Sequence, residues 1–262
     1  MDLVFKNTNL IEFLKNVSDE EKTAFLNEAK LMQDFWHSNV LKIYGVAADV
    51  PPIMIVIEYC PGGSLDIYLE KNEGKIQLKE KMKMCVDIAK GMEYLSTRYV
   101  PCVHGDLAAR NCLIAANKDI KVSDFGMSKE GCYRLTSKEG RKFPVRWMAP
   151  ESLQQFIFSV KTDVFAFAMT IFEIFSDGLP PYPEIETNAK VKENILNGVM
   201  NKCPQGCPLE VYDIMCKCWK KIPTQRPGFR LLRKQLQDIH YNLFKEKDKV
   251  NRIDSSESVQ HL

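Results

Sequence analysis

The run His104-Gly105-Asp106-Leu107-Ala108-Ala109-Arg110-Asn111, followed downstream by Asp124-Phe125-Gly126, sets one carboxylate, one amide and a second carboxylate in a fixed order. Magnesium-dependent phosphoryl transfer to a hydroxyl needs oxygens of this kind. It asks little covalent chemistry of a protein and much positioning: a base beside the acceptor, and ligands for the metal that bridges the phosphates. Asp106 suits the first role, and Asn111 and Asp124 suit the second. A D-x-x-x-x-N string is common by itself, and D-F-G is weaker still. Their order and spacing, between runs that read as short strands, give the combination its weight.

Further blocks fall in sequence around these residues: Phe25-Leu26-Asn27-Glu28-Ala29, then Glu58-Tyr59-Cys60-Pro61-Gly62-Gly63-Ser64-Leu65, then Phe143-Pro144-Val145-Arg146-Trp147-Met148-Ala149-Pro150-Glu151, with Cys218-Trp219 and Arg226-Pro227 near the end. With these blocks the chain resembles a protein tyrosine kinase catalytic domain from roughly residue 20 to residue 243. Ser123-Asp124-Phe125-Gly126-Met127-Ser128 resembles the cytoplasmic Fer/Fes-like group.

That resemblance implies ATP and Mg2+ as cofactors and tyrosine-containing proteins as substrates. Asp106 is then the catalytic base, Asn111 and Asp124 are the metal ligands, Arg110 is a further catalytic residue, and Ala108-Ala109-Arg110 replaces the lysine-containing loop of serine/threonine enzymes. Glu28 would pair with a lysine that holds the ATP phosphates, either Lys6, after Val4-Phe5, or Lys15. Backbone groups of Glu58 and Cys60 would bind adenine, with Leu113 beneath its ring and Ile57 gating the pocket behind. Phe125 is expected to pack on His104 and Met32, His104 to be a core residue, Asp163 to anchor the catalytic-loop backbone, and Glu151 to form a buried ion pair with Arg226.

The chain also departs from the family pattern. Gly105 stands where many relatives carry an arginine that receives a phosphotyrosine. Tyr133, the sole tyrosine between Asp124 and Glu151, is the candidate phosphosite, and loop phosphorylation is expected to regulate weakly. Phe165 and Ala168 replace the family's usual Trp and Gly. The first glycine is Gly45, so a Gly-rich phosphate loop is not found, and the small lobe is expected to keep three strands at most. Two function classes follow: a non-receptor protein tyrosine kinase truncated at its N-terminus, or a pseudokinase acting as a binding module or scaffold.

Bulk properties agree with a globular protein. The 262 residues are 45% apolar, enough for one large core or two linked lobes. A formal net charge of +2, from 36 basic and 34 acidic residues, leaves no electrostatic footprint for nucleic acid. Met1-Asp2-Leu3-Val4-Phe5-Lys6 shows neither a secretory nor a myristoylation signal, and the apolar run Val164 to Phe172 falls short of the ~20 residues that span a bilayer. A cytoplasmic location is expected. Nine cysteines without small-domain spacing read as reduced thiols. Cys203, Cys207, Cys216 and Cys218 are close enough to suggest zinc, but the single residue between the last two, in a helical stretch, argues against it.

The elements that must position the site are legible as patterns. Phe25, Leu26, Ala29 and Met32 recur at helical spacing between residues 20 and 35. Strand-like runs follow at Val40 to Val46 and Ile53 to Glu58, and Pro61-Gly62-Gly63 breaks the chain. A helix from about Leu78 to Ser96 and short strands at Cys112 to Ala115 and Ile120 to Val122 precede a mostly helical remainder. The fold class expected is α+β and bilobal, with a truncated small lobe over 1–59, a large helical catalytic lobe over 60–243, and a polar, disordered tail over 244–262.

Overall fold

The computed structural model describes the backbone of residues 2–6, 9–14, 18–49, 52–135 and 143–257, and the side chains of 18–49, 52–135 and 143–245. Its first part is an antiparallel sheet. Strands β1 (Asp2–Lys6) and β2 (Asn9–Leu14) form a hairpin, and helix α1 (Asp19–Met32) leads to β3 (Ile43–Ala47) and β4 (Ile53–Glu58). Spatial order is β1-β2-β4-β3, with Asn9 opposite Glu58 and Leu14 opposite Ile53. The sheet thus has four strands rather than the expected maximum of three. Asn9–Leu14, apolar at 10, 11, 13 and 14, takes the place beside β4, so β1 moves to the outer edge.

Helix α1 starts where its sequence dictates. The Ser18 hydroxyl accepts from the Glu21 N–H at 3.2 Å, and the Glu21 carboxylate accepts from the Ser18 N–H at 2.9 Å, closing a capping box. Three acids in the first turn suit the positive end of the helix. Phe25, Ala29 and Met32 face the core.

After the Pro61-Gly62-Gly63 break come α2 (Leu65–Lys71) and α3 (Leu78–Ser96). Two-residue β5 (Cys102–Val103) leads into the catalytic-loop region, then the β6 (Cys112–Ile114) and β7 (Ile120–Val122) hairpin follows. Val40, expected in a strand, makes an isolated bridge to Val122 and so joins the two parts. Short strands β8 (Lys129–Glu130), on β5, and β9 (Tyr133–Arg134) lie between Asp124 and Glu151, in what the resemblance implies is the activation segment. The remainder holds α4 (Pro150–Gln155), β10 (Ile157–Phe158), α5 (Val160–Phe175), α6 (Asn188–Asn197), α7 (Leu209–Cys218) and α8 (Phe229–Glu257). Helix α8 continues beyond Lys245, where polar composition without apolar periodicity led to an expectation of disorder. The Lys/Glu/Arg-rich run has good intrinsic helix propensity and extends a helix already packed on α3.

Helix α5 organises the large part. Every residue from Thr162 to Phe175 is buried, which explains an apolar run too short for a membrane. Two of these residues are carboxylates, and both hold the catalytic loop. Asp163 accepts the His104 N–H at 2.8 Å and the Gly105 N–H at 2.9 Å on separate oxygens. Glu173 accepts the Ala109 N–H at 2.9 Å and the Trp147 indole N–H at 2.8 Å on one oxygen. The expected ion pair is present: both Arg226 terminal nitrogens reach Glu151, at 2.7 and 2.8 Å.

Arg226 has a side-chain exposure of 0%, so Glu151→Ala strands a buried guanidinium and should cost about 3–5 kcal/mol in urea denaturation. Burial raises the Asp163 and Glu173 carboxyls to about 7 each. The native state therefore holds more protons than the unfolded chain between the ordinary carboxylate range and about 7, so their stabilisation is complete at low pH and declines as pH rises through that window. Because both Glu173 donors converge on one oxygen, Glu173→Gln can retain them. Denaturation midpoints measured across the window should fall less steeply in Glu173→Gln than in the native protein; an unchanged slope would show that Glu173 ionises normally.

Candidate active site

The loop after β5 folds back on its own carboxylate. Asp106 Oδ1 is paired with the Arg110 guanidinium, and Asp106 Oδ2 accepts from Asn111 Nδ2 at 3.0 Å. The same Asn111 nitrogen donates to the Asp106 carbonyl at 2.7 Å, so its amide oxygen is the group left for a cation. Burial pushes the Asp106 carboxyl up, and Arg110 pulls it back down. Arg110 also lies 4.7 Å from the centre of the Trp147 ring, whose N–H is held by Glu173. Asp106, Arg110 and the Phe143–Trp147 segment thus form one connected unit. Asp106, Pro144, Trp147 and Met148 line a common pocket.

His104 has its ring nitrogens engaged. Nε2 donates to the Ser123 carbonyl at 3.0 Å and Nδ1 accepts the Asp106 N–H at 3.2 Å. Full burial holds its pKa below the ordinary value. Neutral and occupied at both ends, it is a core residue, as its sequence position implied.

Asp124 follows β7 with its side chain exposed and φ at 60°, a left-handed conformation uncommon for a residue with a side chain. Phe125 beside it is buried and packs on His104 and Phe35 at ring separations of 5.1 Å each. The expected coupling of this phenylalanine to α1 runs through Glu28, whose Oε1 accepts the Phe125 N–H at 3.1 Å. Glu28 therefore reaches the backbone of the Asp124-Phe125-Gly126 turn directly. Lys6 is the last residue of edge strand β1, opposite Asn9, and its side chain lies outside the described residues. Lys15 lies outside them entirely.

On the adenine side, Ile57 is buried in β4 and Glu58 ends that strand. The Glu58 carboxylate pairs with Lys121 at 2.9 Å, and Lys121 also donates to the Ser38 carbonyl at 2.8 Å. The Cys60 carbonyl accepts the Gly63 N–H at 3.1 Å, shaping the turn into α2, and burial lifts the Cys60 thiol to about 12. Leu113, half-buried in β6, bridges to Ser64 and so lies next to that turn. All nine cysteines are free thiols.

Glu173 and Lys121 were missed from sequence. A lone acid near the end of an apolar helix and a lysine between β-branched residues were the available signals, since charged residues are seldom buried without partners.

Comparisons with known proteins agree with this geometry. Residues 6–236 match the family described as protein tyrosine and serine/threonine kinase. Tyrosine-protein kinase Fer of Mus musculus is 40% identical over 226 residues, covering 86% of this chain and 27% of that protein. Fer-related kinase 1 of Caenorhabditis elegans is 39% identical, covering 84% of this chain and 56% of its own length. The transforming protein Fps of an avian sarcoma virus is 38% identical over 220 residues, 83% of this chain and 40% of that protein. The chain therefore spans about a quarter of the length of mouse Fer. A family match that runs through the catalytic loop, the activation segment and the Glu151–Arg226 pair makes this chain a member of the protein tyrosine and serine/threonine kinase family.

Proposed function

We propose that the chain is the catalytic domain of a non-receptor protein tyrosine kinase that transfers the γ-phosphate of ATP to tyrosine hydroxyls of proteins in the cytoplasm. The observation that carries this reading is the closed unit of Asp106, Arg110 and Asn111 joined through Trp147 to the acceptor platform. Among the described residues no helix is long and apolar enough to cross a membrane.

The residues present fit a magnesium nucleotide. Asn111, with its nitrogen committed to Asp106, offers an amide oxygen, and Asp124 offers an exposed carboxylate on a backbone held in a sparsely populated conformation. Magnesium bound there would neutralise phosphate charge and orient the γ-phosphoryl group. Asp106 accepts the proton of the acceptor hydroxyl, while Arg110 fixes the carboxylate and Trp147 fixes Arg110. Glu58 and Cys60 present backbone groups to adenine and Leu113 lies under its ring, with Lys6 or Lys15 and Glu28 on the phosphate side.

Two carboxylates with different jobs give separable outcomes. Asp124→Asn should remove the magnesium dependence of nucleotide binding, read by titration with a fluorescent ATP analogue. Asp106→Asn should leave that binding intact and lower kcat on a tyrosine-containing peptide by roughly 10²–10⁴-fold. Peptide phosphorylation unaffected by Asp106→Asn would refute the base assignment. ATP binding without any transfer by the native chain would leave the scaffold reading in its place.

A further inference from the structure

Tyr133 occupies space that Gly105 leaves open. A Cβ at residue 105 would lie 2.5 Å from the Tyr133 hydroxyl and 3.2 Å from the Met127 carbonyl, and Gly105 has φ of +80°, where a side chain is strained in any case. The phenol is well seated. Its hydroxyl donates to the Met127 carbonyl at 2.6 Å, and its ring stacks on Phe158 at 5.1 Å with planes 9° apart. Strand pairing sets Tyr133 directly opposite Phe158. The Lys129 ammonium lies 5.1 Å from the ring centre.

One side chain therefore touches three segments: the loop residue adjoining Asp106, the turn after Asp124-Phe125-Gly126, and β10 at the foot of α5. The same turn is tied to the loop a second time, by Ser128 Oγ donating to the His104 carbonyl at 2.9 Å. Gly105 donates its N–H to Asp163, and the side on which a Cβ would project is covered by the Tyr133 hydroxyl and the Met127 carbonyl. Phosphate on this hydroxyl would remove the donor that Met127 receives and bring acceptor oxygens against a carbonyl oxygen.

Resting on the kinase reading above, we propose that unmodified Tyr133 is a positioning residue for phosphoryl transfer: seated against Gly105, its phenol holds the activation segment and the loop bearing Asp106 in register. Modification of this tyrosine then unseats the segment and lowers activity instead of raising it. This gives the phenol the ordering task that a phosphate–arginine pair performs where residue 105 is arginine.

The test uses the full chain and two readouts. Amide hydrogen exchange at residues 104–106 and 127–135 reports the seat without reference to catalysis, and steady-state kinetics on a tyrosine peptide reports its consequence. Tyr133→Ala should accelerate exchange in both segments and lower kcat roughly 10- to 100-fold, with KM for ATP nearly unchanged. Tyr133→Phe keeps the stack and loses only the bond to Met127, so it should recover part of both effects. Gly105→Ala should resemble Tyr133→Ala, and combining the two should cost little more than either alone. Fully additive effects, faster exchange confined to 133–135, or an unchanged kcat in Tyr133→Ala would each overturn the proposal. If the native chain transfers no phosphate, the kinase reading fails, while exchange at 104–106 in the variants still decides whether the seat holds the loop.

Discussion

A short loop of irregular backbone must hold a carboxylate still, and burial makes that demanding, because each buried N–H needs an acceptor. Here the acceptors are supplied from beneath by one helix. Asp163 takes the N–H groups of His104 and Gly105, and Glu173 takes that of Ala109, so the residues on either side of Asp106 are fixed to α5. Placing two carboxylates inside an apolar helix raises their pKa values, and the donors offset part of that cost. The surrounding packing follows from this arrangement: α5 has to be buried on all sides to keep those contacts dry.

From that anchor the site is assembled outward through side chains that each serve two segments. Glu173 receives the Trp147 indole as well as the loop, and Trp147 lies against Arg110, which pairs with Asp106. His104 links the loop to Ser123 and to Phe125, and Phe125 donates its N–H to Glu28 on α1. A shift of α1 therefore reaches the Asp124 turn through one hydrogen bond. The family resemblance anticipated a lysine as the partner of Glu28, whereas the described geometry shows what Glu28 does for the turn itself.

The residue before Asp106 departs from the family pattern, in which many relatives carry an arginine. Gly105 offers no charge, but its missing Cβ makes room, and Tyr133 fills it. The Tyr133 ring stacks on Phe158 and its hydroxyl donates to the Met127 carbonyl, so on the proposal above packing takes the place of an electrostatic latch.

The sequence by itself determined which polar residues stand together in the loop, their order along the chain, and the family resemblance. The placing of Asp106, Arg110 and Asn111 in one short loop ahead of Asp124 is a local property of residue type and spacing, as are the apolar periods of α1 and α3, whereas the capping box at Ser18 emerged only from the structure. The ion pair of Glu151 and Arg226, although distant in sequence, was available through resemblance. Tertiary structure alone decided the rest. That β2 and not β1 lies beside β4 is a matter of strand order, which composition does not encode. That Glu173 is a pillar of the site, and that Tyr133 is a seated phenol beside Gly105, depend on contacts between residues far apart in the chain. A glycine read in isolation is only an absent arginine; the fold shows what occupies the space it leaves.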